Sequence, residues 1–582
     1  MDPTIQKRIE EWTRPPFDIG TIRELQALVE KGDDRELEDR FYRTLEFGTG
    51  GLRGVIGAGT NRMNIYTVGM ATQGLANYIG KTRSAGTGVV IARDSRHLSD
   101  TFAWETASIL AANGIPVYLF EDIMPTPLAS FAIRHLKAVA GVVITASHNP
   151  PEYNGYKVYW DDGGQITPPH DDLIIAEVNR VDSVSKIKKT PFREGVSSGT
   201  IRLITDEVTE AYVAELEKAA LRPKGTSTVR IAYTPIHGTG YRIIPRILNH
   251  FGFTDVLVQE EQSRPDGNFP TVTYPNPEEK EAMELVTALA RAGNADIILA
   301  TDPDADRMGV GFKGPDGGYI LINGNQIGTM LEYYILTRSK ENGTLPADAA
   351  VIKTVVTTEL QRKIAESFNC KIFDVLTGFK WIASKMKEFD DTGSATFMFG
   401  GEESYGYLPV RFVRDKDAVS SCYFFAEMAD WLKSRNKTLY GFLDEIYRAH
   451  GLYLEDLISL TLKGKEGTEK IRNLMEKFRS VPPAAISSIA VESMADLKSL
   501  IIKKPRTGTE EKITGLPASN VIQFFLADGS KITMRPSGTE PKIKFYFSVC
   551  GEAGAGGLAE AKKKVREKLE ALKKDLMGMV GS

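Results

Sequence analysis

Three aspartates at alternate positions, Asp302, Asp304 and Asp306, follow the apolar run 297–300. In extended backbone that spacing projects all three carboxylates to one side. Three negative charges placed together repel unless a cation neutralises them, and hard oxygen donors suit Mg²⁺ or Ca²⁺. The run opens like an EF-hand. However, Arg307 stands sixth, where glycine is needed, and Lys313 twelfth, where glutamate is needed, so an EF-hand is excluded. A solvated acidic loop is the plain alternative.

A second group leaves another apolar strand: Thr145, Ala146, Ser147, His148, Asn149, then Pro150, Pro151 and, further on, Lys157. A serine at a strand terminus is exposed and can act as a nucleophile or carry a phosphoryl group. His148 and Lys157 are candidates for proton transfer or phosphate neutralisation. A polar turn stiffened by two prolines is the structural alternative. No Gly-x-Ser-x-Gly elbow surrounds Ser147, which disfavours an ordinary serine hydrolase.

Two further loops carry polar groups suited to a ligand. Arg535, Ser537, Gly538 and Thr539 combine a guanidinium, two hydroxyls and an accessible backbone into a phosphate cradle, or into a common turn. Gly400, Gly401, Glu402, Glu403 and Ser404 offer hydrogen bonds to vicinal sugar hydroxyls, or form a plain loop. The run 48–54 nears a dinucleotide fingerprint, but Arg53 stands where the third glycine belongs and no clear strand precedes it. A flexible glycine-rich loop placing Arg53 near an anion is the better reading. Gly80, Lys81 and Thr82 imitate a Walker motif, but the earlier glycine is misplaced and the segment reads as helix.

The elements that must hold these loops are legible. Short β-branched runs at 89–92, 142–145, 229–233, 297–300 and 397–399 each end in a polar loop. Helical stretches lie between them, as at 99–113, 277–292 and 326–339. Alternation of strand and helix predicts an α/β fold of parallel sheets with helices on both faces. Ligands then bind beyond the carboxyl ends of the strands, where the polar loops sit. Breaks fall in the weakly periodic run 161–201, near 314–318 and near 464–467. They divide the chain at 1–200, 201–320, 321–465 and 466–582. The last part is strand-rich at 521–525 and 542–549 and ends in a helix from about Leu558 to Met577. Leu558, Val565, Leu569, Leu572 and Leu576 mark its apolar face, with lysines on a solvated one.

Composition removes several function classes. A chain of 582 residues holds roughly four domains at ~150 residues each. A net charge of −4 excludes a polybasic nucleic-acid binder. Three distant cysteines, Cys370, Cys422 and Cys550, make no disulfide framework, so a reducing compartment is expected. The N-terminus lacks an apolar signal core, and the longest apolar run, 138–146, is about half of a membrane span. A cytoplasmic protein without membrane or nucleic-acid partners is the expectation. Glycine, at 53 residues, is in mild excess, and several members sit in the loops above.

In this order, the runs 48–54, 147–157, 302–307, 401–407 and 535–539 resemble the α-D-phosphohexomutase superfamily, nearest to its long bacterial phosphoglucomutases, which are related to phosphopentomutases. The resemblance covers about Leu45 to Val549. It implies a heart-shaped, four-domain architecture: three similar mixed α/β domains and a smaller α+β C-terminal domain around a central cleft. It implies that Ser147 is a phosphoserine and that Asp302, Asp304 and Asp306 bind Mg²⁺ with an oxygen of that phosphoserine. Glu402 and Ser404 would hold sugar hydroxyls. Arg535, Ser537, Gly538 and Thr539 would grip the phosphate that is not being transferred. Arg53, His148, Lys157 and Arg307 match cationic or proton-transfer positions. At 376–381 the phosphomannomutase type carries histidine where this chain has Phe379, so Lys380 is the expected contributor here.

The implied reaction interconverts glucose 1-phosphate and glucose 6-phosphate through glucose 1,6-bisphosphate, which is both intermediate and activator. Mannose or (deoxy)ribose phosphates are the alternative substrates. A phosphatase using an aspartyl nucleophile would leave Ser147 idle. A catalytically silent paralogue would have no need of the serine, the aspartates and the cradle together.

Overall fold

A computed structural model describes residues 2–82, 87–462, 464–537, 542–552 and 557–581. The chain divides into two compact units. The first comprises Met1–Asn323, Phe379–Ser394 and Ser404–Ser434; the second comprises Gly324–Gly378, Ala395–Glu403 and Arg435–Ser582. No helix among the described residues is long and apolar enough to cross a membrane.

The first unit opens with three short helices, Pro3–Trp12, Ile19–Lys31 and Asp34–Phe41. Each starts at an aspartate, Asp2, Asp18 or Asp33, whose carboxylate accepts a backbone N–H of the first turn. Their apolar faces meet in a cluster of Ile5, Ile9, Trp12, Leu25, Leu37 and Phe41.

A six-stranded sheet follows. Its strands are β1 (Gly51–Val55), β2 (Val89–Arg93), β3 (Val117–Phe120), β4 (Ala140–Ile144), β5 (Tyr153–Trp160) and β6 (Ile201–Ile204). They lie in the order β1-β5-β4-β2-β3-β6. The central strands run parallel, while β5 is antiparallel to both β4 and β1. Strands β2 and β4 are buried throughout, which is why they read as continuous apolar runs. The run 161–201 follows β5. It holds the helices His170–Asn179 and Phe192–Ser197 and returns the chain to β3 through β6, so the first sheet ends at residue 204.

The run 48–54 also differs from its expected form. Residues 51–55 are an edge strand, not a flexible loop, and Gly51 pairs with Lys157 while Arg53 pairs with Gly155. Gly51 has φ +130, and a Cβ there would lie 1.8 Å from the Tyr156 carbonyl oxygen. Only glycine allows β1 to approach β5 so closely.

The second sheet has β7 (Ile231–Thr234), β8 (Val256–Val258), β9 (Ile297–Thr301), β10 (Met308–Lys313) and β11 (Tyr319–Ile322), ordered β11-β10-β9-β7-β8. Strands β7, β8 and β9 are parallel; β10 and β11 add antiparallel edges. The expected helix at 277–292 forms as Lys280–Gly293. Its start is delayed because Asn276 first closes a turn, accepting from the Glu278 N–H with its side chain and from the Glu279 N–H with its carbonyl.

In the second unit β12 (Ala349–Thr354) lies between β13 (Lys371–Val375) and β14 (Thr396–Gly401), all parallel. The two-residue strand β15 (Tyr407–Leu408) belongs to the first unit. The last sheet is antiparallel throughout and built from β16 (Leu452–Thr461), β17 (Ala485–Ile486), β18 (Ile489–Asp496), β19 (Ile501–Lys504), β20 (Thr509–Lys512), β21 (Ile522–Leu526), β22 (Lys531–Pro536) and β23 (Lys542–Gly551). It takes in β16, so it begins before residue 466.

The terminal helix Gly557–Gly581 buries the face predicted for it, with Ala561 added. Not all of its lysines are merely solvated: Lys562, Lys568 and Lys573 pair with Asp444, Asp528 and Asp456.

The Gly51 geometry has a measurable consequence. Gly51→Ala is expected to destabilise the first unit by about 1–3 kcal/mol, through strain at positive φ and overpacking on β5. Calorimetric unfolding of the variant beside the parent measures it.

Candidate active site

Loops at the carboxyl ends of β4 and β9 meet within the first unit. The β9–β10 connection is a hairpin, with Thr301 opposite Met308. Its residues are therefore not extended, as the alternation of aspartates suggested, but turned. Ala305 takes φ +48 and its N–H donates to the Asp302 carbonyl at 2.9 Å. The N–H groups of Asp306 and Arg307 donate to Asp302 Oδ1 at 3.1 and 3.0 Å. The turn brings one carboxylate oxygen of each aspartate within 4.8 Å of the others. All three side chains are buried.

The serine loop docks on this hairpin. Ser147 Oγ donates to Asp302 Oδ2 at 2.8 Å and lies 3.1 Å from His148 Nδ1. Ser147 itself is left-handed, at φ +52, an uncommon state for a residue with a Cβ. Its N–H donates to Thr145 Oγ1 at 2.8 Å.

Cations surround the carboxylates. Lys157 Nζ, reaching in from β5, lies 2.7 Å from Asp304 Oδ2 and 3.3 Å from Asp306 Oδ2. Lys416 Nζ lies 3.0 Å from Asp306 Oδ2 and 3.0 Å from Asp415 Oδ1. Gly406 makes room for it, since a Cβ there would fall 2.1 Å from Lys416 Cδ. Thr126, at the start of the helix Thr126–His135, donates its hydroxyl to Asp304 Oδ2 at 2.9 Å and its N–H to the Asp304 carbonyl at 2.9 Å. Arg307 Nη1 donates to Glu278 Oε1 and to the Ser404 carbonyl. Arg53 is more exposed and donates to Asn149 Oδ1 at 3.3 Å, within the serine loop.

Titration behaviour follows from this crowding. Burial, then the charges of Asp304 and Asp306, raise the Asp302 carboxyl well above the usual carboxylate range. Burial pushes Asp304 the same way, but the charge and hydrogen bond of Lys157 outweigh it and hold Asp304 low. Burial would depress Lys157, yet Asp304 and Asp306 raise it. Burial lowers His148 well below its ordinary value, and Arg307, Arg53 and Lys157 lower it further. Its imidazole is therefore neutral near pH 7 and can accept a proton.

The donor set suits a divalent cation. Asp304 Oδ1 and Asp306 Oδ1 are buried and accept no hydrogen bond among the described residues. Such oxygens are costly unless something binds them. Three hard carboxylates around one point match a site for a hard divalent cation.

Lys380 lies elsewhere in the first unit. Its ammonium donates to the Thr49 carbonyl at 3.3 Å and sits 3.7 Å from the buried Asp171 carboxylate. Burial lowers its pKa, partly offset by Asp171. Of Ser404, the carbonyl is engaged by Arg307.

The second unit holds the remaining candidates. Glu402, at the end of β14, is buried and accepts from the Gly378 N–H at 2.9 Å through Oε1. Arg535 and Ser537 lie at the β22–β23 hairpin, where the Ser537 N–H donates to the Lys542 carbonyl at 2.7 Å. Arg535 Nη1 reaches Tyr546 Oη at 3.5 Å. Gly538 and Thr539 lie outside the described residues.

Sequence reading missed Lys416, Thr126 and Arg96, whose guanidinium takes carbonyls of the serine loop. Thr126 and Lys416 stand more than 100 residues from Asp304 and Asp306 in the chain, and no local spacing ties them to the aspartates. Lys416 and Arg96 stand in polar runs after strands, which is a weak signal, while Thr126 lies between two prolines in an apolar run that gives none.

Comparison with known proteins identifies the family of the chain. Three consecutive family profiles, "Phosphoglucomutase/phosphomannomutase, alpha/beta/alpha domain" I, II and III, match residues 44–185, 210–315 and 323–450. A phosphoglucomutase of Staphylococcus haemolyticus is 39% identical over 512 residues, 88% of this chain and 91% of that protein. A phosphoglucomutase of Staphylococcus aureus strain USA300 is 37% identical over 526 residues, 90% and 93% of the two chains. Among solved structures, a phosphoglucomutase/phosphomannomutase family protein from Burkholderia thailandensis superposes with TM-score 0.62 at 20% identity, covering 90% of this chain and 97% of its own. The open form of pp63/parafusin from Paramecium gives TM-score 0.63 at 18% identity, over 91% and 95%. With three α/β domains, a sheet-rich C-terminal domain and full-length relatives at this identity, the chain belongs to the phosphoglucomutase/phosphomannomutase family of the α-D-phosphohexomutase superfamily.

Proposed function

We propose that this chain is an isomerase that interconverts glucose 1-phosphate and glucose 6-phosphate, with Ser147 as the phosphoryl carrier. The supporting observation is the Ser147 hydroxyl, bonded to Asp302 of a buried three-carboxylate cluster and touching a neutral imidazole. The phosphoglucomutase relatives favour glucose over mannose or (deoxy)ribose phosphates as the substrate.

Asp302, Asp304 and Asp306 would hold Mg²⁺ together with an oxygen of phosphorylated Ser147. When bound, the ion supplies charge neutralisation for the phosphoryl group in flight. The residues of the chain do the rest. A phosphoserine carries about −1.5 to −2 at pH 7. Lys157, Lys416 and Arg307 offset that charge together with the carboxylates, from fixed positions that need no reorganisation.

In the first half-reaction the P–O bond to Ser147 breaks and a bond forms to a sugar hydroxyl oxygen. The sugar hydroxyl gives up its proton, and Ser147 Oγ takes one. His148, with Nδ1 3.1 Å from Oγ, is placed to relay it: the neutral imidazole takes the sugar's proton at one ring nitrogen and gives one to Oγ from the other, so it starts and ends neutral. Glucose 1,6-bisphosphate is the product of this step. It turns over, and its other phosphate returns to Ser147, leaving glucose 6-phosphate. Glu402 and Ser404 would bind the sugar hydroxyls, and Arg535, Ser537, Gly538 and Thr539 the stationary phosphate. Arg53 would attract the incoming anion at the rim of the serine loop. Lys380 is held by Thr49 and Asp171, and its proposed part is to lend charge near the glycine-rich turn. The three cysteines are free, which fits a cytoplasmic location.

Mass spectrometry of the purified protein is expected to find phosphate on Ser147. Ser147→Ala should lose mutase activity by at least about 10⁴-fold, as removal of a covalent nucleophile does. Full activity in that variant ends the phosphoserine reading.

Chelation should abolish turnover while leaving the unfolding transition in place, and added Mg²⁺ should restore it. Asp304→Asn should raise the Mg²⁺ concentration needed for half-maximal rate by roughly 10–100-fold, as weakened ligation does. Unfolding on chelation would mark a structural ion instead.

Values of kcat/KM for glucose, mannose and ribose 1-phosphates decide the substrate. Glucose is expected to lead, and a higher value for ribose would reassign the enzyme.

A further inference from the structure

The backbone around Ser147 is held by one side chain that the reaction scheme does not use. Arg96 follows β2, and its side chain is fully buried. Its Nη1 donates to the Pro150 carbonyl at 2.7 Å and to the Tyr153 carbonyl at 3.1 Å. Its Nη2 donates to the Ser147 carbonyl at 2.6 Å and to that of Asn149. Its Nε lies 3.3 Å from Asp94 Oδ2. A guanidinium has five N–H donors in a planar fork, and here four donate to carbonyls, while Nε is ion-paired with Asp94 without a hydrogen bond. Every one of those carbonyls belongs to the loop that carries Ser147 or to the start of β5.

The fork is itself held from two sides. Asp94 Oδ1 accepts from the Arg96 N–H at 3.0 Å and from Ser99 Oγ at 2.8 Å, which fixes the carboxylate. The Phe269 ring lies 4.8 Å from the guanidinium carbon, in cation–π range. Phe269 is buried and left-handed at φ +47, in a loop tied down by His237. That imidazole meets the Arg264 carbonyl with Nδ1 at 3.1 Å and Thr271 Oγ1 with Nε2 at 3.0 Å. Ser95 Oγ closes the ring by donating to the His237 carbonyl at 2.9 Å. The domain that carries the metal-binding hairpin thus braces the arginine that shapes the serine loop.

We propose that Arg96 is a positioning residue for phosphoryl transfer, its fork setting the left-handed backbone that aims Ser147 Oγ at Asp302. The proposal rests on the reading of Ser147 as phosphoryl carrier. Without the four carbonyl contacts, Ser147 keeps only its N–H bond to Thr145 Oγ1 and its hydroxyl bond to Asp302 against relaxation toward the extended region, which would swing Oγ off the hairpin. Lysine keeps the charge but offers three donors at one point, so it cannot reach four carbonyls.

The test uses the full-length protein and single-turnover kinetics. Enzyme carrying labelled phosphate on Ser147 is mixed with excess glucose 1-phosphate and Mg²⁺, and the first-order rate constant of label transfer is read. That constant does not depend on the folded fraction, so mere destabilisation leaves it unchanged. Arg96→Lys is expected to slow transfer by about 100-fold, the effect of a displacement of about 1 Å at a reacting group. KM for glucose 1-phosphate should stay within roughly threefold, because the substrate-binding groups are untouched. Phe269→Leu, which keeps the guanidinium and removes the ring against it, should slow transfer by roughly tenfold, a smaller displacement. Should Arg96→Lys fail to fold, Phe269→Leu decides. An unchanged transfer constant in a folded variant overturns the positioning role. If Ser147 takes up no label in the parent and Ser147→Ala stays active, the phosphoserine reading fails instead, whatever the Arg96 variants do.

Discussion

Burying three carboxylates beside the Ser147 hydroxyl is the constraint from which the first unit's geometry follows. At an effective dielectric of ~20, two carboxylate charges about 4.8 Å apart repel by about 3–4 kcal/mol. A lysine about 3 Å from a carboxylate returns about 5 kcal/mol on the same scale. Lys157 and Lys416 therefore roughly balance the cluster's mutual repulsion, and the desolvation of all five groups is left over. That remainder is what makes the site receptive to a divalent cation. It also explains why the lysines come from separate elements, the edge-paired strand β5 and the loop before the helix Ala418–Lys433. A single short segment could not surround a turn whose carboxylates all point to one spot.

The chemical loops were legible because each is continuous in the chain. Serine and histidine are adjacent, and the aspartates alternate, so a single sequence displays both groups. The strands were legible for a related reason: β2, β4 and β9 are buried on both faces and carry unbroken apolar runs. What stayed hidden was everything fixed by packing between distant segments. The run 51–55 looked like a loop because its strand state depends on β5, about 100 residues later, and on a glycine that permits contact with Tyr156. The aspartates seemed to lie on an extended strand because the antiparallel return of β10, which forces the turn, leaves no mark in the spacing. The elements of the run 161–201 stayed hidden because its helices are short and the strand β6 that follows has one neighbour only.

Left-handed residues cluster where these segments meet. Ser147, Ile236, His237, Phe269, Ala305 and Tyr405 all have positive φ, and none is glycine. Such conformations persist only where surrounding contacts over-determine them. Here the contacts are a hydroxyl for the Ser147 N–H, a carbonyl for that of Ala305, and histidine bonds for the loop of Phe269. The strain is spread over several loops of two domains and is not confined to Ser147.

The way the chain is parcelled between its two units also bears on how the protein is made. The first unit needs residues as late as Ser434, and the chain passes between units five times before its end. A ribosome adding about 5–20 residues per second reaches that point only after roughly 20–90 s. Until then the first two sheets lack the helix Ala418–Lys433, which packs on β9 and on the helix Gly240–His250, and the buried aspartates lack Lys416. Vectorial synthesis therefore exposes an incomplete, acid-rich nascent surface between the emergence of Asp306 and that of Lys416. A gene fragment cut at the end of the second sheet would encode that same unfinished state permanently.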